Sequence, residues 1–595
     1  MSGFPSRPEI VRPVDGATVG SLQGRLMSAP PPHATPRGRV ALFHPRGRLA
    51  LDANPFGKDV ANRALWRALA RHGGYEQIDI LTLEPASLED LDAALFEPGD
   101  RRPDLTSALM PGSRAPQAAG TLLRGHPDLT DLAWLRRSHG GDRAYSLVGW
   151  IHTLAPPTMR QIIAASATSP TYPWDALVCT SPSVRDNMEQ MFTSWGEHLA
   201  ARTGGRPPPH PSLPVIPLGV DAAAMAARAD RPEARARLRA ELGLGEADIL
   251  VLWVGRLSYY EKAFPQPMFK ALQQARAATG ARVVFAMAGW FPSPGDRDHY
   301  ETAAHAHAPD VPVRFEDGND AARLNALWAG ADIFLSLVDN IQETFGITPL
   351  EAMAAGLPLV ASDWDGYRST VRHGIEGFLI PTLLGGSGGG LGAALLERHL
   401  LGLTTYQAYV GTVAQHTAVH IGHAAAALAE LIGNPDLRRQ MGAAGRARVA
   451  EAFDWPVVAR QVHALTDDLA QVRAEAADPL AEAASDPVRG DPVRGDPLRT
   501  FVGFASQPLG LDTWLSVTPG ATAAEVTATA AIGLDAAFAN LRAGPELCGA
   551  ALEVIARAGR MQVRDVLLAF PIPQRRVLEL GLAWMAKYGF VDWLP

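Results

Sequence analysis

Glu343 and Glu351 lie eight positions apart in Glu343-Thr-Phe-Gly-Ile-Thr-Pro-Leu-Glu351, and the residues between them spell a helix start. Thr348 is a good N-cap. Pro349 then falls at the first helical position, where its missing N–H costs nothing. Gly356 supplies a left-handed stop. Backbone N–H groups at such a start attract an anion, most often a phosphate. One acid precedes that anion site and one lies inside the helix. A purely structural account also exists. Thr348-Pro-Leu-Glu351 is a capping box, and Glu343 alone could be a solvated loop acid.

A second feature weighs against that account. Val254-Gly-Arg-Leu-Ser-Tyr-Tyr-Glu-Lys262 carries an apolar strand into Gly255 and then places two basic residues six positions apart, Arg256 and Lys262. Glycine allows close backbone approach, and the two cations can converge on one diphosphate. Basic loop residues are more often simply solvated. Two anion-binding features on neighbouring strand ends nevertheless suggest one diphosphate held between them. His152 ends the apolar run Tyr145–Ile151 and reads equally as a satisfied core histidine or as a proton-exchanging group.

These residues need elements to position them. Val40–Phe43, Ile78–Leu83, Tyr145–Ile151 and Asp175–Thr180 read as short buried strands, with a helix over Val60–Arg71. The alternation restarts at Ile249–Val254 and Arg282–Met287. It runs on through Ala331–Val338 and Leu357–Ser362 to Phe378–Ile380. This is the pattern of open parallel α/β sheets, with ligands at the carboxyl ends of the strands. Two such domains facing each other across a cleft is the simplest architecture. The domain reading is a Pro-rich arm over 1–37, a first Rossmann-like domain over 38–221 and a second over 222–472. A linker over 473–500 contains the repeat Asp-Pro-Val/Leu-Arg, and a mainly helical module spans 501–595.

A chain of 595 residues with a net charge of −8 is too long for one core and too weakly charged for a bulk nucleic-acid binder. Cys179 and Cys548 are far apart, which fits a reducing cytosol. Neither a signal peptide nor an apolar membrane span is evident, which leaves contact with the inner face of a membrane open.

Taken in order, these pieces resemble the family 4 glycosyltransferases of the GT-B fold. The matching segments are Asn54-Pro-Phe-Gly57, Gly149-Trp-Ile-His-Thr153, Cys179-Thr-Ser181, Ile216–Asp221, Gly255-Arg-Leu with Lys262, and Glu343 with Glu351. His373–Leu379 and Phe453-Asp-Trp455 complete the run, so the resemblance covers about residues 38–470. It implies retaining transfer from a nucleotide-diphosphate sugar, with no cofactor and no obligatory metal. It further implies that Arg256 and Lys262 neutralise the leaving diphosphate and that the backbone of Phe345, Gly346, Ile347 and Thr348 holds its oxygens. Glu351 would bind the ribose, Glu343 and His152 would lie at the donor sugar, and Gly57 would let the first loop approach. The expected partners are the nucleotide sugar and a glycan or lipid-linked acceptor, with no nucleic acid. A sugar-nucleotide epimerase or a non-catalytic scaffold on the same fold are the alternatives.

Two regions depart from the family pattern. Lys262 is followed by Ala-Phe-Pro, and a helical insertion occupies about 391–420. Within the insertion His416, His420 and His423 are spaced for one helical face, which could bind a metal but more often is a polar surface. The C-terminal module lies outside the resemblance. Its three helices, Glu546–Ala558, Val563–Phe570 and Gln574–Lys587, with an extended end at Phe590–Trp593, have the order of a truncated winged helix. Their apolar character favours packing over DNA contact.

Overall fold

The computed structural model describes residues 38–49, 57–386, 388–477 and 490–594. The Pro-rich arm, Asn54-Pro-Phe56 and the start of the Asp-Pro repeat, 486–489, lie outside the described residues. The chain divides at Arg489/Gly490 into two units.

The first unit holds two six-stranded sheets. Strands β1 (Arg39–Phe43), β2 (Gln77–Thr82), β3 (Asp104–Leu109), β4 (Thr121–Arg124), β5 (Ser146–Ile151) and β6 (Ala176–Cys179) pair in the order β3-β2-β1-β4-β5-β6. Every ladder in this sheet is parallel. The second sheet uses β7 (Ile249–Val254), β8 (Val283–Gly289), β9 (Val313–Asp317), β10 (Ile333–Ser336), β11 (Leu359–Ser362) and β12 (Gly377–Ile380) in the order β12-β11-β10-β7-β8-β9. It too is parallel throughout. Both orders are 3-2-1-4-5-6 counted within the domain, so the order reverses between β1 and β4 and between β7 and β10. Loops leaving these strands open the crevice in which doubly wound sheets bind ligands. The fold is GT-B, two Rossmann-like domains with a cleft.

Sequence dictates this arrangement through burial. Parallel sheets are covered on both faces, so their strands read as continuous apolar runs. Ile249-Leu-Val-Leu-Trp253 is buried along its whole length. By contrast β3 alternates exposed and half-buried residues at the sheet edge, and its Asp-Leu-Thr-Ser-Ala-Leu sequence carries no such run.

Six helices of this unit bear on the site. They are α1 (Gly57–His72), α2 (Ile347–Ala355), α3 (Leu391–Leu400), α4 (Tyr406–Gln415), α5 (Ile421–Gly433) and α6 (Trp455–Glu475). The last corrects the domain reading. Its residues were grouped with the second domain, yet Trp455, Val458, Val462 and Leu469 pack into the core built on β1, β2 and β5. The chain crosses back at Phe453–Trp455. There Val220 N–H donates to Phe453 O at 2.9 Å, and the Trp455 ring lies where a Cβ on Gly219 would come within 2.5 Å.

The insertion hangs on a short antiparallel ladder, β13 (Thr382–Leu384) against β14 (Thr417–Val419). That ladder overturns the single-face reading of the histidines. His416 caps the C-terminus of α4, β14 intervenes, and His420 caps the N-terminus of α5 with its side chain accepting from His423 N–H. The β-branched Thr417 and Val419 pair with Thr382–Leu384 instead of extending a helix. Among the described residues no cluster of His, Cys, Asp and Glu could hold a metal, and no helix is long and apolar enough to cross a membrane.

The second unit is mainly helical, as expected, with a small antiparallel sheet. Strand β15 (Trp514–Val517) sits centrally between β16 (Arg560–Gln562) and β17 (Val591–Leu594), antiparallel to both. Helices α7 (Ala523–Ala530), α8 (Pro545–Ala558), α9 (Val563–Leu568) and α10 (Ile572–Lys587) enclose a core that includes Leu552, Val566, Leu578, Leu582 and Met585. The strand ahead of the helices completes the sheet that the sequence reading left as a single extended end.

Candidate functional site

The loop after β10 runs from Leu337 to Gly346 and is wired from within. Asn340 is fully buried and donates through Nδ2 to Tyr260 O at 2.8 Å, while its own Oδ1 accepts from Gln342 N–H at 2.9 Å. Trp364 Nε1 donates to Asn340 O at 3.0 Å. The turn so fixed delivers Glu343 to the carboxyl end of the sheet. There the Glu343 carboxylate pairs with Lys262 Nζ, on the loop after β7. Burial alone would raise the Glu343 carboxyl. The Lys262 charge and hydrogen bonds from Lys262 and from the Phe345 and Thr344 backbone outweigh it and hold the group below the usual carboxylate range.

Helix α2 begins one residue after Gly346, whose φ is +82°. This displaces the expected cap. Thr348 and Pro349 lie inside the first turn rather than at its border, and Glu351 sits a further turn in, so the Thr348–Glu351 capping box does not form. The reason is tertiary. A Cβ on Gly346 would lie 2.0 Å from the ring of the fully buried Tyr367, so the backbone can turn there only on glycine. Gly356 ends the helix in the left-handed region with φ +83°, as expected. The first turn has no side-chain cap, so its leading backbone N–H groups have no side-chain partner at the cap. Burial raises the Glu351 carboxyl, against the pull of Arg228 and Lys262.

Arg256 and Lys262 do not sit side by side as a bare cationic pair. Arg256 Nη1 is 2.7 Å from Glu261 Oε2, and Lys262 is taken by Glu343. The Lys262 stem packs against Gly255, with Cε 3.5 Å from where a Cβ would stand. The neighbouring glycines are required by close packing, since a Cβ on Gly289 would meet Gly255 O at 1.8 Å.

His152 enters from the other domain, at the end of β5. Its Nε2 is 2.8 Å from Asn62 Oδ1 on α1, and Asn62 Nδ2 donates to Gly125 O at 2.8 Å. Burial, with help from His126 and Lys58, drives the imidazole down to about 4, so it is neutral at pH 7. Its carbonyl accepts from Thr344 Oγ1 at 2.8 Å, which ties the two halves of the cleft together. Thr180 Oγ1 donates to Thr344 O at 3.3 Å, and Ser181 Oγ donates to Asp365 Oδ1 at 3.1 Å. Gly57 is the first residue of α1, and a Cβ there would meet nothing within 4 Å.

Residues 234–383 match the family model of the glycosyl transferases group 1. The match encloses Arg256, Lys262, Glu343 and Glu351, while Gly57 and His152 fall outside it. Among curated proteins, a D-inositol 3-phosphate glycosyltransferase of Salinispora arenicola is 29% identical over 279 residues, covering 43% of this chain and 58% of that one. A phosphatidyl-myo-inositol mannosyltransferase of Mycobacterium leprae is 34% identical over 151 residues, covering 25% of this chain and 30% of that one. The chain thus spans less than two thirds of the length of these relatives. Among solved structures, Anabaena HepE in complex with UDP-glucose aligns at a TM-score of 0.45 with 15% identity, over 72% of this chain and 99% of that one. Sucrose-phosphate synthase from Thermosynechococcus elongatus aligns at 0.45 with 18% identity, over 73% and 100%.

Several residues around the candidate site escaped the sequence reading. Thr344 lay inside the quoted motif without a role. Glu261 lay beside Lys262, and its acidic charge between two cations was an available signal. Asp365 has a positive φ of 41°, and burial raises its carboxyl to about 7 with a contribution from Glu343. Asn62 precedes His152 by 90 positions, and no local pattern joins them.

Proposed function

We propose that this protein is a retaining glycosyltransferase that moves a sugar from a nucleotide-diphosphate donor to a glycan or lipid-linked acceptor. The observation that carries the reading is the meeting of Lys262, Glu343 and the uncapped start of α2, with His152 bonded to the same loop from across the cleft. The family model over 234–383 and relatives named as a glycosyltransferase and a mannosyltransferase support it. The lipid named in the latter supports a lipid-linked acceptor.

In this reading the bond between the anomeric carbon and the diphosphate oxygen breaks as the acceptor oxygen bonds to the same face of the sugar. The acceptor proton leaves with the departing phosphate oxygen. Negative charge grows on the diphosphate, where Lys262, Arg256 and the N–H groups of Gly346, Ile347 and Thr348 receive it. Positive charge grows on the ring, where Glu343 stabilises it. Neutral His152 hydrogen-bonds a sugar hydroxyl without adding a repelling charge. Glu351 takes the ribose hydroxyls, and Gly57 leaves room for a ligand where a side chain would intrude. We place the reaction in the cytoplasm, with lipid-linked acceptors met at the inner face of the membrane.

The test is a panel of uridine, guanosine, adenosine and thymidine diphosphate sugars, followed by nucleoside-diphosphate release. Transfer with retained anomeric configuration supports the proposal. A changed nucleotide sugar released without an acceptor indicates an epimerase. Binding without turnover indicates a scaffold. Glu343→Gln and Lys262→Ala are each expected to lower turnover about a hundred- to a thousandfold, as losses of transition-state charge stabilisation do. Near-normal activity in both would sink the assignment.

A further inference from the structure

The insertion between β12 and α5 touches both loops of the candidate donor site. Helix α4 turns Val410, Gly411 and Ala414 inward at helical spacing, while in its first turn Tyr406 is half-buried and Gln407 is exposed. Val410 and Ala414 are buried, and Gly411 lies so close to the loop after β7 that a Cβ there would stand 3.0 Å from Tyr260 Cβ. Thr405 caps the helix by accepting from Ala408 N–H at 3.1 Å, which fixes where the first turn begins. By contrast α3 buries no residue, so the hold of the insertion on the domain is through α4 and the β13–β14 ladder.

That first turn makes two contacts. Tyr406 Oη donates to Gln342 Oε1 at 2.8 Å, and Gln342 is the residue before Glu343. Gln407 Nε2 donates to Glu261 Oε1 at 3.1 Å, while the other oxygen of Glu261 pairs with Arg256. Burial, reinforced by Glu261, raises the Tyr406 phenol, so its hydroxyl stays a donor.

We propose that Tyr406 and Gln407 are positioning residues of the donor site, Tyr406 for Glu343 and Gln407 for Arg256. The proposal rests on the glycosyl-transfer reading of that site. Tyr406 braces the turn that aims Glu343, so its effect falls on the chemical step. Gln407 draws Glu261 toward the insertion. When a diphosphate takes Arg256, Glu261 must leave it, and Gln407 holds the displaced carboxylate. Its effect therefore falls on donor binding. The insertion in this way sets the geometry of loops that belong to the domain beneath it.

Tyr406→Phe removes one hydroxyl and keeps the ring. It is expected to lower kcat about three- to tenfold, the range for one net hydrogen bond, with donor KM within twofold. Gln407→Ala is expected to raise donor KM about threefold or more with kcat within twofold. This opposite split is what a merely structural role would not produce. Hydrogen exchange of the unliganded full-length protein gives a second reading that needs no turnover. Amides of residues 340–344 should exchange at least threefold faster in Tyr406→Phe than in the parent, with exchange of β7 and β8 unchanged. If the parent protein transfers no sugar, the glycosyl-transfer reading fails and exchange alone decides the positioning role of Tyr406. Unchanged exchange together with unchanged or unsplit kinetics overturns the proposal.

Discussion

Thr344 donates its hydroxyl hydrogen to the carbonyl of His152 at 2.8 Å, across the cleft between the two Rossmann-like domains. Thr344 is buried, so neither group has water as a ready substitute. Thr344→Val keeps the shape, removes the donor and leaves the His152 carbonyl without it. The expected cost is on the order of 1–3 kcal/mol of contact between the domains. Steady-state kinetics on the full-length protein should report a lower kcat/KM for donor. Unaltered kcat/KM would mean that the bond does not hold the site together.

The Lys262–Glu343 pair is asymmetric. Glu343→Gln leaves a lysine whose flexible stem can reach water past Gly255. Lys262→Met leaves a carboxylate that the fold cannot move, because the Asn340–Gln342 turn holds it. Removing one partner of a buried pair costs about 3–5 kcal/mol, and the partial exposure of these side chains brings the expectation for Lys262→Met to roughly 1–3 kcal/mol. Urea denaturation at pH 7 should therefore show Lys262→Met less stable than Glu343→Gln. The reverse order would place the strain on the lysine.

Much of this site was legible because its signals are local. The apolar runs into Gly255 and over Ala331–Val338 marked the strands, the second ending two residues earlier at Ser336, and parallel α/β order put their loops at the switch point. The helix start was legible in kind but misplaced by two residues, because Tyr367, under Gly346, decides where the chain can turn. Asn62 and His152 meet through the sheet, not through sequence, so nothing near either residue foretells the other. The apolar stripe of α6 looks the same whichever domain it covers, and only the crossing at Phe453–Trp455 shows that it returns to the first. The insertion read as continuous helix because Thr417–Val419 is too short to announce a strand.

Gly346 should tolerate no side chain. Its φ of +82° already disfavours an L residue, and a Cβ would fall 2.0 Å from the Tyr367 ring. Gly346→Ala should cost roughly 1–3 kcal/mol and shift the first turn of α2. Pairing it with Tyr367→Leu, which clears the space, separates the two causes. Stability should recover in part, while donor binding should not, because the φ penalty remains at the helix start. Full recovery of binding would show that the ring contact alone matters.

His152 and Asp365 should give folding stability opposite slopes in the same pH window. Burial lowers His152 to about 4, so between about 6.5 and 4 the unfolded chain binds its proton and the folded chain does not. Its contribution is present above about 6.5 and is lost as pH falls. Burial raises Asp365 to about 7, so between about 3.9 and 7 the folded chain binds the proton and the unfolded chain does not. That contribution is present below about 3.9 and is lost as pH rises. The two largely cancel in the parent protein. His44, His72 and His126 are also lowered by burial and add to the slope of His152. Asp365→Asn should therefore steepen the loss of stability on acidification from pH 6.5 to 4, and His152→Asn should flatten or reverse it. Melting temperatures taken across that window decide the matter. Parallel curves for the parent and both variants would show that neither group is held away from its ordinary titration.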